Sequence, residues 1–355
     1  MSDYQTEISF IASQDYMNSL SGASVLIAGA SGMIGKCIID IIMTYNETAS
    51  NPIRIIACSR NEQLARERLA QYWDSEFLDF VQTDVNSSIP ECGMADYIIH
   101  AAANTHPLQY STDPIGTIET NIRGTKKLLE YAVSHHTKRF SFLSSVEIYG
   151  ENRGDIELFN EEYMGYIDCN TLRAGYPESK RAGEALCNAY GQVYGNKTGF
   201  SFVIPRLSRI YGPTMLFSDS KAIAQFIKKA VAGENIVLKS EGNQIYSYTF
   251  VTDAAAAVLL TLIKGEDGAA YNIADEHSII TLKDAATILA KIAHSQVVYE
   301  LPNETEKSGY SMVMKSALDS GRLRALGWDA RIHMKDGLEC CVEILKKKIR
   351  QGMLS

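Results

Sequence analysis

The stretch Ser24-Val25-Leu26-Ile27-Ala28-Gly29-Ala30-Ser31-Gly32-Met33-Ile34-Gly35-Lys36-Cys37-Ile38-Ile39-Asp40-Ile41-Ile42 decides the fold. Its first five residues read as a short buried strand, the glycines at 29, 32 and 35 as a turn, and the apolar spacing after them as a helix. A dinucleotide fold needs these pieces in this order. One glycine permits the tight turn, one lets a pyrophosphate approach the backbone, and one lets the helix pack on the strand, while the helix N-terminus faces the phosphate charge. Gly29, Ser31, Gly32, Met33, Ile34 and Gly35 are therefore candidate cofactor contacts.

Working outward, Ile53-Arg54-Ile55-Ile56-Ala57-Cys58 reads as a second strand, with Ser59-Arg60-Asn61 at its end. An acidic residue there would hold the ribose 2′-hydroxyl of NAD, whereas an arginine with small polar neighbours suits a 2′-phosphate. Ser59 and Arg60 thus favour NADP(H) over NAD(H). A third strand follows at Phe77-Leu78-Asp79-Phe80-Val81-Gln82. A fourth, Tyr97-Ile98-Ile99-His100, runs into Ala101-Ala102-Ala103, a small-residue turn that lets backbone approach a cofactor. Phe140-Ser141-Phe142-Leu143-Ser144-Ser145 reads as a buried strand ending in hydroxyls, with Glu147 just beyond. In an open parallel sheet ligands bind outside the carboxyl ends of strands, where these side chains fall.

The chemistry sits in Arg173-Ala174-Gly175-Tyr176-Pro177-Glu178-Ser179-Lys180-Arg181. Residues four apart are neighbours on a helix, so Tyr176 and Lys180 share a face. A tyrosine has an ordinary pKa near ~10, and a neighbouring ammonium favours its phenolate, which can then serve as a general base. By spacing alone the pair is no more than two residues on a helix face. With a glycine turn and a hydroxyl-tipped strand in the same chain, it becomes a candidate site.

Together these stretches resemble the extended short-chain dehydrogenase/reductase family, in particular its nucleotide-sugar epimerases, dehydratases and decarboxylases. The resemblance runs from about residue 24 to about residue 328 and includes Asn121-Ile122-Arg123-Gly124-Thr125 and Ile210-Tyr211-Gly212-Pro213. It implies an α/β fold, a doubly wound parallel (Rossmann) sheet, with a smaller C-terminal α/β substrate lobe. Residues 1–205 would form the dinucleotide-binding domain, with strands near 245–275 returning to it, and residues 206–355 the substrate lobe. Tyr176 would be the base, Lys180 would bind the nicotinamide ribose and lower the tyrosine's pKa, and Ser145 would hydrogen-bond the substrate hydroxyl. Asp84 and Val85 would meet the adenine, and Ala101, Ala102, Ala103 and Asn121 would also line the cofactor. The segment Asn104-Thr105-His106-Pro107 lies over the active site in relatives, which makes Thr105 and His106 substrate contacts. Arg173 belongs to the same substrate set.

Two departures from the relatives stand out. Arg209 replaces a usual Asn, and Tyr246 stands where an Arg for the diphosphate is usual, so Arg209 is expected to take over that binding. Glu147 lacks the paired acid of the dehydratases, since Val146 precedes it. A single carboxylate can still act at C5 once C4 is a ketone, because the ketone acidifies the neighbouring carbon. The expected function is nucleotide-sugar epimerase/dehydratase chemistry through a 4-keto sugar. The alternatives are an NADPH-dependent reductase of a nucleotide 4-keto sugar, a decarboxylase like those acting on UDP-glucuronate, and a non-catalytic dinucleotide-binding sensor or scaffold.

Composition sets the outer bounds. A chain of 355 residues with 46% hydrophobic and 21% charged content supports a large core. A formal net charge of -8 argues against a nucleic-acid partner. Seven scattered cysteines without metal-ligand spacing read as reduced thiols of a cytoplasmic protein, with no metal site. Residues 1–20 are too polar for a signal peptide and are expected to form a short helix on the first strand. Residues 118–133 read as an amphipathic helix that in relatives packs against a dimer mate together with the Tyr176 helix, so a homodimer is expected. Further helices are expected over 221–232, 253–263, 316–326 and 338–349, with Asp253 as an N-cap.

Overall fold

The computed structural model describes residues 3–87, 89–105, 110, 112–300 and 313–352. In chain order its strands are β1 (Ser24–Ala28), β2 (Arg54–Ser59), β3 (Leu78–Gln82), β4 (Tyr97–His100), β5 (Arg139–Phe142), β6 (Ser144–Ser145), β7 (Ser201–Leu207), β8 (Arg209–Tyr211), β9 (Ile236–Leu238), β10 (Ile245–Phe250), β11 (Ala270–Ile273), β12 (Ile279–Thr281), β13 (Val297–Tyr299) and β14 (Lys315–Ser316).

The main sheet has the order β11-β7-β5-β4-β1-β2-β3, with β6 also on β7. Its neighbouring strands are parallel. Parallel strands covered by helices on both faces are apolar along their length, and Val25, Leu26, Ile27 and Ala28 of β1 are fully buried. On one face the Met33–Asn46 helix contributes Ile38, Ile39, Ile41 and Ile42, all fully buried, each stabilising by roughly 1.5–3 kcal/mol. The strand order reverses between β1 and β4. That reversal is where an open α/β sheet forms its ligand crevice.

A smaller sheet of order β12-β10-β14, with β8 on β10, builds the second lobe, and β9 pairs with β13. The strand at Ile245 was expected to return to the main sheet. Instead β10 pairs with β8, β12 and β14, while β11 rejoins the main sheet beside β7. The cause is a break at Ser208, whose hydroxyl lies 2.7 Å from that of Thr249. The chain leaves the main sheet there, so Arg206 stays under one lobe and Arg209 enters the other.

Three further expectations change. The N-terminal helix, Tyr4–Ala12, packs on the Met33–Asn46 helix, where the Tyr4 hydroxyl donates to Asp40 Oδ2 at 2.6 Å. Residues 316–326 are a short strand and a four-residue helix, Gly321–Arg324. Tertiary partners claim that backbone: the Asn272 amide donates to the Asp319 carbonyl at 2.9 Å and the Ser320 N–H donates to Glu276 Oε1 at 3.0 Å. Asp253 lies inside the Val251–Lys264 helix, where its Oδ2 accepts the Ile332 N–H at 3.0 Å. All seven cysteines are free. Among the described residues no helix is long and apolar enough to cross a membrane.

Candidate active site

The glycine turn is tight for a steric reason. Gly29 has φ +89°, and a Cβ there would lie 2.8 Å from the Ala101 carbonyl. A Cβ on Gly35 would come within 2.4 Å of the Gly29 carbonyl oxygen. The turn, the end of β2 and the Ala101-Ala102-Ala103 turn enclose a cleft of about 370 Å³, also lined by Ser31, Gly32, Ser59, Arg60, Asp84 and Val85. An adjoining cleft of about 220 Å³ is lined by Met33, Ile34, Gly35, Thr105, Ser145, Glu147, Arg173, Tyr176 and Arg209. A cradle that side chains would fill, opening at a helix N-terminus, fits a dinucleotide pyrophosphate.

Asn121 does not line either cleft. It is fully buried in the π-helical turn Thr120–Gly124, and its amide donates to Ser179 Oγ at 2.9 Å beneath the Tyr176 helix. Asp84 caps its own loop, accepting the Asn86 N–H at 2.9 Å. His106 and Pro107 lie outside the described residues.

Ser145 ends β6, and Tyr176 sits in the first turn of the Gly175–Thr198 helix. Both side chains line the smaller cleft. Burial pushes the Tyr176 phenol up to about 12, while the Ser145 hydrogen bond and the Arg173 charge pull it down and Glu147 opposes them. Lys180 is one turn further on, and its Nζ donates to the Leu143 carbonyl at 2.8 Å. Burial pushes this amine down to about 7, against the raising effect of Glu184. The expectation that Lys180 lowers the tyrosine is therefore corrected for the free protein. Its own charge is disfavoured by burial, and Ser145 and Arg173 act on the phenol instead.

Glu147 lies between two cations. Its carboxylate is 2.8 Å from Arg173 Nη2 and 3.5 Å from Arg209 Nη2. Burial works to raise this carboxyl, but the charges of Arg173 and Arg209 outweigh it and hold it below the ordinary value. The Arg209 guanidinium lies 3.7 Å from the Tyr246 ring centroid, and that of Arg173 lies 4.5 Å from the Tyr110 ring. Tyr110 packs 4.9 Å from Tyr176.

Tyr110 and Lys221 are site residues that sequence reasoning missed. Lys221 Nζ reaches Thr105 Oγ1 at 3.2 Å and Asp219 Oδ2 at 3.1 Å, at the start of the Ala222–Ala232 helix. A lysine leading into a helix shortly after a Gly-Pro turn was the available signal. Tyr110 offered none.

Comparison with known proteins bears on the cofactor. The chain is 25% identical over 332 residues to UDP-glucuronic acid decarboxylase 5 of Arabidopsis thaliana, covering 93% of this chain and 91% of that protein. Its fold matches a dTDP-glucose 4,6-dehydratase from Streptomyces venezuelae solved with NAD bound (TM-score 0.79, 23% identity, 92% of this chain and 98% of that one). It also matches a UDP-glucuronic acid 4-epimerase from Bacillus cereus in complex with UDP-glucuronic acid and NAD (TM-score 0.76, 18% identity, 91% and 99%). These neighbours carry NAD, which overturns the preference for NADP(H) drawn from Ser59 and Arg60. The geometry supplies a reason: the Ser59 hydroxyl is engaged by Ser31 at 2.7 Å, and Arg60 Nη2 leans on Asn104 Oδ1 at 3.4 Å. Over residues 25–274 the chain matches the NAD dependent epimerase/dehydratase family, and it belongs to that family of nucleotide-sugar enzymes.

Proposed function

We propose that this enzyme binds NAD and acts on a nucleoside diphosphate sugar through a 4-keto intermediate, with no net change in the nicotinamide. The observation that carries this reading is that Ser145 and Tyr176 together line the cleft adjoining the glycine cradle. Gly29, Ser31, Gly32, Met33, Ile34 and Gly35 would hold the pyrophosphate, Ser59 and Arg60 the adenosine ribose, Asp84 and Val85 the adenine, and Ala101, Ala102 and Ala103 the remaining wall. Lys180 would turn to the nicotinamide ribose. When bound, NAD supplies a hydride acceptor that later gives the hydride back.

Tyr176 takes the proton of the sugar's C4 hydroxyl, and Ser145 orients that hydroxyl by a hydrogen bond. A phenol near 12 is a poor match for neutral pH, so filling of the cleft must lower it. The oxidised sugar can then be reduced on its other face, an epimerisation. Alternatively Glu147, held ionised by Arg173 and Arg209, would take the C5 proton and pass it to the departing C6 hydroxyl, so that water leaves, after which the hydride would return to C6 and the Tyr176 proton to C5. Epimerase/dehydratase chemistry comes first, and decarboxylation second.

The same reading includes a homodimer and a cytoplasmic location. Ile115 and Leu172, 72% and 61% exposed beside the two helices expected to pair, support the dimer. A single-chain mass in sedimentation equilibrium would remove it. The test of the activity is incubation with UDP-, dTDP-, GDP- and CDP-sugars plus NAD, with sugar products followed by NMR. Product without net NADH is expected. Stoichiometric NADH, or no conversion of any sugar, would sink the proposal.

A further inference from the structure

Arg209 reaches the cleft because of strand pairing. It faces Tyr248 in the parallel register of β8 with β10, and Tyr246 lies two residues earlier on the same face of β10, so the guanidinium settles on the Tyr246 ring. From that platform it points at Glu147 beside Tyr176, at the reacting end of the cleft. Arg173 arrives from the other side, out of the turn Leu172–Ala174, and shares the same carboxylate.

The charges do not balance. Two guanidiniums meet one carboxylate, and the three side chains are only 17%, 25% and 14% exposed. Arg173 Nε, Arg173 Nη1 and Arg209 Nε are buried and have no hydrogen-bond acceptor. Leaving donors of a charged group unpaired away from water is costly, more so than for neutral groups. A second anion in the cleft would satisfy them. Its position is constrained by the stack of Arg173 on Tyr110 and of Tyr110 on Tyr176, which sets the guanidinium one ring away from the candidate base. A substituent of the reacting sugar ring fits that separation.

We propose that Arg173 and Arg209 form a clamp for a carboxylate on the sugar ring, so that the substrate is a uronic acid linked to a nucleoside diphosphate, with Arg209 the residue that determines this specificity. The proposal rests on the nucleotide-sugar reading above and narrows it to epimerisation or decarboxylation, because a uronate has no C6 hydroxyl to lose as water. A carboxylate fits because its two oxygens match a planar fork of N–H donors, and because one negative charge neutralises the excess of one positive charge. Glu147 then serves as the internal counter-ion that keeps both forks aimed into the cleft. On this proposal Arg209 acts at the sugar, where the sequence reading placed it at the diphosphate.

The test uses the full chain carrying Tyr176→Phe, loaded with NAD so that ligands bind without turnover. Titration calorimetry first compares UDP, dTDP, GDP and CDP, then the glucose and glucuronic acid derivatives of whichever nucleotide binds. The uronate is expected to bind about tenfold more tightly than the neutral hexose. Adding Arg209→Gln should bring that ratio close to one, and Arg209→Lys should restore part of it. If Arg209→Gln lowers the melting temperature steeply, Tyr246→Leu removes the platform while keeping the charge and should also reduce the ratio. Nucleotide binding with equal affinity for hexose and uronate overturns the clamp alone, as does a ratio that survives Arg209→Gln. Failure of every nucleotide and nucleotide sugar to bind overturns the nucleotide-sugar reading and the clamp with it.

Discussion

At the scale of single residues, Tyr176 shows how burial and partners compete. Burial sets its phenol near 12 and brings the Lys180 amine down to about 7, so the phenol keeps its proton at neutral pH in the free protein. A buried phenolate needs positive charge close by, and the charge that pulls the Tyr176 phenol down is that of Arg173. Replacing Tyr176 by Phe removes the proposed proton acceptor and leaves the ring packing on Tyr110. Turnover of the sugar identified in the panel should fall by about 10²–10⁴-fold, the usual worth of a positioned base. Single-turnover kinetics would check it, and a loss of less than threefold would move the base elsewhere. His100 illustrates the opposite outcome for a titratable group. It is fully buried, its Nε2 is 3.0 Å from Thr125 Oγ1, and burial pushes it down to about 3, so it is a neutral core residue at the end of β4.

At the scale of elements, the Val251–Lys264 helix carries a buried acid that its sequence position disguised. Asp253 accepts a backbone N–H from the segment after Trp328, and burial pushes it up to about 7, with the Ile332 and Arg331 N–H groups opposing. A folded-state pKa above the unfolded one means that the folded protein binds the proton more tightly. The stability from this group is complete below about pH 4 and is lost as pH rises toward 7. Asp253→Asn keeps an acceptor oxygen without the charge. Its unfolding free energy should match that of the unsubstituted protein at pH 4 and exceed it at pH 8, by on the order of 2 kcal/mol. Urea denaturation at the two pH values measures this, and a difference that does not change with pH would refute it.

At the scale of the whole molecule, one buried ion pair braces the elements around the site. Arg206, two residues before the break at Ser208, holds Glu184 through Nε at 3.0 Å and Nη2 at 2.7 Å. Glu184 Oε1 also accepts from Ser144 at 2.5 Å, and Arg206 Nη1 donates to the Tyr149 hydroxyl and the Glu161 carbonyl. The end of β6, the Gly175–Thr198 helix and β7 are thus clamped around Ser145 and Tyr176. Glu184→Gln leaves a buried guanidinium without its counter-charge and should cost about 3–5 kcal/mol in chemical denaturation. A cost below about 1 kcal/mol would show that the pair is dispensable. None of this was legible beforehand, because Glu184 and Arg206 are 22 residues apart and meet only after the helix has packed on the sheet. The glycine turn, the apolar parallel strands, the Tyr176–Lys180 face and the family were legible in the chain itself. Each depends on neighbours within a few residues: steric room for a Cβ, the two-residue period of strands, the four-residue spacing of helices. The direction of β10, the turning of Arg60 onto Asn104, and the meeting of Arg173 and Arg209 at Glu147 were decided by the tertiary structure alone. Ion pairs and hydrogen bonds act over about 3–4 Å between side chains that the sequence places far apart, so only the packed sheets determine which of them meet.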